Sequence, residues 1–385
     1  MARLGAFQVR TDVDPASTAA LDEGLHDRDR SYDVPMITPP VLARLRDALQ
    51  NAALVLVASI LPLLVGELAA RTYKGDLFSW ENMRVPPIAD SRPPRAEYDP
   101  NLGYLPMRGI WTGPFTATID ENGLRRNGEA PVDAAAKVLA VGDSYTFGDD
   151  VNDAESWPAH LEMLLMRPVL NGGVFGYGVD QTVLRAEALL RVYEPETLIL
   201  SMIADDLKRA ELSYRDGWKP YFEVGNDGEL ELRNVPVPQS PRPVRFRRIR
   251  DLLSYSHLAN AVFRRVSSVW WLREGAEHRA HNDGAAIGQL LMNRLSDSIR
   301  GKNVRVLVVA QADRSLDTVS LLPVLERARS VGFETIDLAT ELQELIRARP
   351  ELAESFFIGP FAGHMTSQGN RWIAERLAEK LGEVE

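Results

Sequence analysis

The sequence contains no cysteine. That excludes disulfides, thiolate nucleophiles and cysteine-held zinc, and it leaves the redox compartment open. Histidine is sparse, with six residues and none in an HExxH or similar spacing, so no metal site is expected. Positive charge is in deficit: 44 Lys and Arg stand against 54 Asp and Glu, a net charge of −10. General nucleic-acid binding is disfavoured by that balance. Nothing in the sequence calls for a cofactor. Internal repeats and low-complexity tracts are absent, and so are long uncharged apolar runs, with one exception.

The exception is Ala52 to Gly66, AALVLVASILPLLVG. Extended from Ala48 to Ala70 it approaches the roughly 20 residues that cross a bilayer. Pro62 would kink it, which membranes tolerate better than water does. Residues 48–70 are therefore expected to be a transmembrane helix. A core helix of a soluble cytoplasmic hydrolase is the competing assignment. Residues 1–47 are polar and rich in Asp and Arg, and are expected to form a disordered tail with a short helix at Pro40 to Asp47. This tail is too long and too acidic for the start of a signal peptide. Arg44 and Arg46 before the span nearly balance Arg71 and Lys74 after it, so charge signals orientation weakly.

With 385 residues, 45% of them hydrophobic, the rest of the chain can build one large domain with extensions, or two domains. Residues 71–130 are rich in Pro, Gly and aromatics. Tyr98 to Tyr104, YDPNLGY, and Thr116 to Gly123, TATIDENG, read as turn-linked strands with Asn122-Gly123 as a hairpin turn. Their expected role is packing between membrane and core.

Residues 131–385 alternate strand and helix, the pattern of a parallel sheet covered on both faces. Val138 to Val141 is a buried strand that stops at Gly142-Asp143-Ser144. Helices are expected over Trp157 to Met166 and Asp180 to Val192, with a buried strand over Thr197 to Ile203. The alternation breaks over about 207–284, an insertion with a hairpin near Asn226-Asp227-Gly228. A helix over Phe246 to Leu272 carries an arginine run whose usual roles are a solvated face or contact with phosphates or a membrane surface. The insertion could lie over the strand ends as a lid. Helix, strand, helix, strand follow over Ile287–Arg300, Val304–Ala310, Leu321–Val331 and Glu334–Leu338. Thr366 to Leu381 closes the chain as an amphipathic helix.

Glycine permits a sharp turn, which leaves the Ser144 hydroxyl at the carboxyl edge of the sheet, where open α/β folds place ligands. A helix-capping serine is the plainer alternative. A serine nucleophile needs a base within hydrogen-bond reach and donors aimed at the oxyanion. His364, in GHMTSQGN just before the last helix, is the candidate base. The glycine-rich Asn171 to Gly178, NGGVFGYG, is the candidate donor loop.

VLAVGDSYTFG resembles the first block of the SGNH (GDSL-like) hydrolases, and HMTSQGN resembles their last. VFGYG is similar to the second block, and YDPNLGY and IDENGLR to the membrane-proximal stretch of anchored bacterial members. The resemblance implies a three-layer α/β/α doubly wound parallel sheet, with Ser144 as nucleophile, His364 as base, and the N–H groups of Ser144 and Gly176 as oxyanion donors. Two positions depart from the pattern. Asp205 stands where the family has an asparagine donor; an ionised carboxylate only accepts hydrogen bonds and could donate only if protonated. Asp205 and Asp206 could equally cap a helix or bind Lys208 or Arg209. Phe361 stands where the family has the aspartate that orients the histidine. Asp337 and Glu354 are sequence-near substitutes, and a backbone carbonyl could leave a Ser–His dyad. By resemblance the chain is expected to be a single-pass inner-membrane serine esterase with its main domain in the periplasm. Its substrates would be O-acyl esters, O-acetyl esters among them, of cell-surface glycans. An O-acyltransferase on the same scaffold and a catalytically degenerate carbohydrate-binding or assembly protein are the alternatives.

Overall fold

The computed structural model describes residues 39–74, 77–78, 95–128, 138–215, 217–239, 246–267, 270–271, 277–280, 283–311, 313, 315–359 and 363–382. Two units are distinguished, one up to Ala69 and one from Ala70 onward. The first is dominated by a single helix, α1 (Pro39–Lys74), 36 residues long. Its two leading prolines suit a helix start, where a missing N–H costs nothing. From Val41 to Asn51 no glycine or proline interrupts, so the helix runs unbroken into the apolar stretch and through Pro62. The short helix expected over Pro40 to Asp47 is the first part of α1, continuous with the apolar segment; the rest of the expected tail, up to residue 38, lies outside the described residues. Leu54, Val55, Leu63 and Leu64 are all exposed. By length and composition the helix is sufficient to cross a bilayer.

The second unit opens with two antiparallel hairpins, β1 (Ala96–Asp99) with β2 (Gly103–Pro106) and β3 (Gly109–Trp111) with β4 (Ala117–Ile119). Then follow β5 (Val138–Val141), α2 (Ser144–Phe147), α3 (Trp157–Leu165), β6 (Val169–Asn171), α4 (Val179–Tyr193), β7 (Thr197–Met202) and α5 (Ala204–Ala210). The next stretch holds β8 (Leu212–Arg215), β9 (Tyr221–Val224), β10 (Leu230–Arg233), α6 (Arg247–Leu253), α7 (His257–Val266) and β11 (Glu277–Arg279). The chain closes with α8 (Gly284–Ser298), β12 (Arg305–Ala310), α9 (Leu322–Ser330), β13 (Glu334–Asp337), α10 (Leu338–Ala348), α11 (Leu352–Phe356) and α12 (Ser367–Leu381).

Five strands form one parallel sheet in the order β13-β12-β7-β5-β6. Every residue of β5 and β7 is buried, as uninterrupted apolar strands covered on both faces should be. Side chains alternate between two cores. Leu139, Val141, Leu198, Leu200, Val306 and Val308 pack with Val183 of α4, Leu291 of α8 and Leu325 of α9. Val138, Ala140, Ile199, Leu307 and Val309 pack with Leu161 of α3, Leu342 of α10 and Leu377 of α12. Each fully buried aliphatic side chain contributes about 1.5–3 kcal/mol. After β5 the chain goes to the edge strand β6 and returns to β7 on the other side. The crossovers diverge at the carboxyl ends of β5 and β7, which makes this the sheet's switch point and its natural ligand crevice. Ser144 lies three residues beyond the end of β5.

The hairpins of residues 95–128 are built into this unit. Arg125 pairs with Asn171 at the end of β6, its N–H 3.0 Å from the Asn171 carbonyl. Trp111 packs on Phe147 and Phe175, and Tyr104 on Phe175 and Tyr177. Gly123, at φ +70°, closes a turn whose N–H reaches the Asp120 carbonyl. In the insertion, β8 pairs with β11 and β9 with β10. The single helix expected over Phe246 to Leu272 is two, α6 and α7. The break falls at Ser254-Tyr255-Ser256, where the Ser254 hydroxyl bonds the Asp251 carbonyl and Ser256 caps α7 through the Ala259 N–H at 3.0 Å. Serine hydroxyls compete with helical hydrogen bonds in this way.

Candidate active site

The turn after β5 is forced by packing. A Cβ on Gly142 would lie 2.7 Å from the Ser201 carbonyl oxygen and 2.1 Å from Thr146 Oγ1. Asp143 caps the one-turn helix α2, its Oδ1 accepting from the Tyr145 N–H at 2.9 Å. The capping role falls to Asp143, leaving Ser144 as the first helical residue. Its hydroxyl is buried, in a residue only 5% exposed.

His364 is set by its sequence context. The carbonyl of His364 accepts from the Ile358 N–H at 2.9 Å, and the Thr366 N–H reaches the Phe356 carbonyl at 2.8 Å, so the loop is stitched to the strand-like residues after α11. Met365 is buried, Thr366 caps α12 through the Gly369 N–H, and Asn370 accepts from the Trp157 N–H at 3.1 Å. Met365, Thr366, Gly369 and Asn370 thus fix the histidine's place. The ring lies edge-on to Tyr145 at 5.2 Å, with Nε2 3.0 Å from Ser144 Oγ.

The other ring nitrogen, Nδ1, is 2.7 Å from Asp150 Oδ2. A carboxylate at Nδ1 fixes the proton there and leaves Nε2 free to accept from the serine. Neither sequence-near substitute takes this part: Asp337 instead caps α10 through Thr340, and no contact joins Glu354 to the ring. Phe361 lies outside the described residues. Asp150 comes from the same loop as the serine, six residues on. Gly148 ends α2 at φ +86°, and Asp150 itself sits at φ +70°, which turns its carboxylate back toward the histidine.

Buried Arg125 braces that loop. Its guanidinium donates to the carbonyls of Phe147 at 2.8 Å, Val151 at 2.5 Å and Thr116 at 3.2 Å, to the Gly148 carbonyl, and to Asp153 Oδ1 at 3.1 Å. Replacing it with methionine would keep the volume and leave four carbonyls and a carboxylate without this partner. Arg125→Met is expected to cost about 3–5 kcal/mol, the usual cost of breaking a buried ion pair. Thermal unfolding of the purified protein checks this, and an unchanged midpoint would contradict it.

The N–H groups of Ser144 and Gly176 have no protein acceptor among the described residues. Gly176 belongs to the loop after β6, which is bonded to the serine turn by the Val174 N–H at 3.0 Å from the Gly142 carbonyl. Asp205, on α5, is 43% exposed and accepts from Arg209 Nε at 3.0 Å. One nitrogen of Arg209, Nη1, reaches Asp143 Oδ2 at 3.0 Å, Asp206 Oδ1 at 2.7 Å and the Tyr177 carbonyl at 3.1 Å. Asp143 Oδ2 is in turn 3.4 Å from Ser144 Oγ. Asp205 is therefore held as a partner of Arg209, beside a buried Asp206 whose carboxyl is pushed well above the usual range by burial and then by Asp143.

Asp149, next to Asp150, is pushed up to about 6 by burial, with His364 opposing and Asp150 adding to the rise. A carboxyl raised in the folded state contributes stability that is present below its unfolded value, 3.8, and lost as pH rises through about 6. Two units correspond to about 3 kcal/mol. Wild type is expected to lose that much more stability than Asp149→Asn between pH 4 and pH 7. Parallel pH titrations of the unfolding midpoint check it; superimposable profiles would contradict it.

No protein-family model matches the chain, and no curated protein does. Among solved structures, the chain is similar to a lipolytic protein of the G-D-S-L family from Desulfitobacterium hafniense, 13% identical over 63% of this chain and 98% of that one, TM-score 0.34. It is similar to a two-domain esterase active on acetylated mannans, 14% identical over 66% and 51%, TM-score 0.37. A catalytic mutant of an acetylxylan esterase from Geobacillus stearothermophilus is 13% identical over 64% and 94%, TM-score 0.36.

Proposed function

We propose that this protein is a membrane-anchored serine esterase that acts on O-acyl esters through an acyl-enzyme. The observation that carries the proposal is the continuous chain Ser144 Oγ, His364 Nε2, His364 Nδ1, Asp150 Oδ2, with links of 3.0 and 2.7 Å. Ser144 Oγ attacks the ester carbonyl while its proton passes to His364 Nε2. The carbonyl oxygen becomes an oxyanion held by the N–H groups of Ser144 and Gly176. Collapse breaks the ester bond, His364 returns the proton to the leaving alcohol, and the acyl group stays on Ser144. Water, deprotonated by His364, then releases the acid. General-base catalysis contributes about 10²–10⁴-fold and each oxyanion donor about 10²–10³-fold. Asp150 keeps the ring in the competent tautomer and stabilises the imidazolium.

An O-acetyl glycan at the cell surface is the substrate class the motif resemblance suggests, and the exposed apolar face of α1 supports a location at a membrane. A sugar hydroxyl replacing water in the last step would make the same acyl-enzyme a transferase. The test is hydrolysis of p-nitrophenyl acetate and of an acetylated polysaccharide by the full chain in detergent. Catalytic release of p-nitrophenol and acetate is expected. A folded protein that turns over neither ester would contradict the proposal.

A further inference from the structure

The loop carrying Gly176 is held from its outer side. A trans peptide points its C=O and its N–H in opposite directions. The Gly176 N–H therefore takes its direction from the Phe175 carbonyl, and that carbonyl accepts from the Tyr104 hydroxyl at 2.7 Å. The next peptide is held the same way, with Arg215 Nη1 donating to the Gly176 carbonyl at 2.6 Å. Gly176 is at φ +74°, and a Cβ there would lie 2.9 Å from both the Tyr104 hydroxyl and Arg215 Nη1. Tyr104 is itself immobilised: it is buried, its ring lies 5.8 Å from Phe175 and 5.3 Å from Tyr177, and its carbonyl accepts from the Tyr177 hydroxyl. The Tyr177 carbonyl shares Arg209 Nη1 with Asp143, the residue before the nucleophile. A rigid path thus runs from the YDPNLGY hairpin to the serine turn.

We propose that Tyr104 is a positioning residue of the oxyanion site: by holding the Phe175 carbonyl, its hydroxyl directs the Gly176 N–H toward the forming oxyanion. The proposal rests on the acyl-enzyme role of Ser144. The β1–β2 hairpin is then part of the catalytic apparatus as well as of the packing. Without the hydroxyl the Phe175–Gly176 peptide is free to rotate, and the donor is present only part of the time. Complete loss of one such donor costs about 10²–10³-fold in kcat; a partial loss of about 10–100-fold is expected here.

The test is Tyr104→Phe, which keeps the ring and removes one oxygen. With p-nitrophenyl acetate as substrate, kcat is expected to fall about 10–100-fold. KM should change little, because ground-state binding is untouched. The midpoint of the pH–rate profile should stay in place, since the His364–Asp150 contact is unaltered. A trifluoromethyl ketone, which forms an oxyanion on Ser144, should bind more weakly in parallel with kcat. Placing 4-aminophenylalanine at position 104 restores a donor at the ring tip and should restore most of the rate. Unchanged kcat in Tyr104→Phe overturns the proposal. So does a loss that the amino variant fails to rescue, which would assign the effect to packing. An inactive wild type would instead overturn the esterase function itself.

Discussion

Ser144→Ala and His364→Ala are each expected to lower ester turnover by on the order of 10⁶-fold, about 8 kcal/mol of barrier, by analogy with nucleophile–base pairs that act as one unit. The double variant should be no worse than either single one, because removing one member idles the other. The physical reason is the 3.0 Å contact between Ser144 Oγ and His364 Nε2. Without the base the hydroxyl stays protonated, and without the hydroxyl there is nothing to acylate. Residual turnover from the oxyanion donors and substrate binding should remain above the rate in water. Turnover of a short ester by each purified variant measures this. A Ser144→Ala protein that retains wild-type activity would move the chemistry to another residue.

Asp150→Asn is expected to cost 10²–10⁴-fold in kcat while leaving the fold intact. An asparagine amide at this place can donate to Nδ1, which drives the ring proton to Nε2 and removes the acceptor the serine needs. The full 10⁴-fold belongs to a buried aspartate. Asp150 is 45% exposed, and water screens part of its effect, so the lower half of the range is expected. Asp149→Asn is the matched control. It removes the neighbouring carboxyl, which makes no hydrogen bond to the ring, and it should alter the pH dependence of stability far more than kcat. Equal losses in the two variants would contradict the assignment of Asp150.

The buried strands were legible because β5 and β7 are unbroken apolar runs, and a sheet covered on both faces demands that composition. Ser144 and His364 were legible because their neighbours are constrained in type: a glycine that tolerates no Cβ, a capping threonine, a glycine under a carbonyl. Asp150 was not. The family position, three residues before the histidine, holds Phe361, and the acid that reaches the ring comes from 214 residues away in the chain. The available signal was a glycine followed by two acids just after a one-turn helix, on the nucleophile's own loop. Arg125 was missed for a different reason. An arginine in IDENGLR looks like any surface arginine, and only the fold brings the carbonyls of Thr116, Phe147, Gly148 and Val151 around it. Tyr104 likewise sits in a stretch whose expected role was packing. The start of α1 was legible at Pro40, and its continuity with the apolar run follows from the absence of a helix breaker between Pro40 and Ala52.

The most direct test of the central claim is covalent labelling of the full chain in detergent with a fluorophosphonate, the adduct being located by mass spectrometry. One phosphonylated residue is expected, Ser144, with labelling lost in His364→Ala and slowed in Asp150→Asn. A folded protein that takes no adduct at Ser144, or one whose labelling is indifferent to His364, would contradict it.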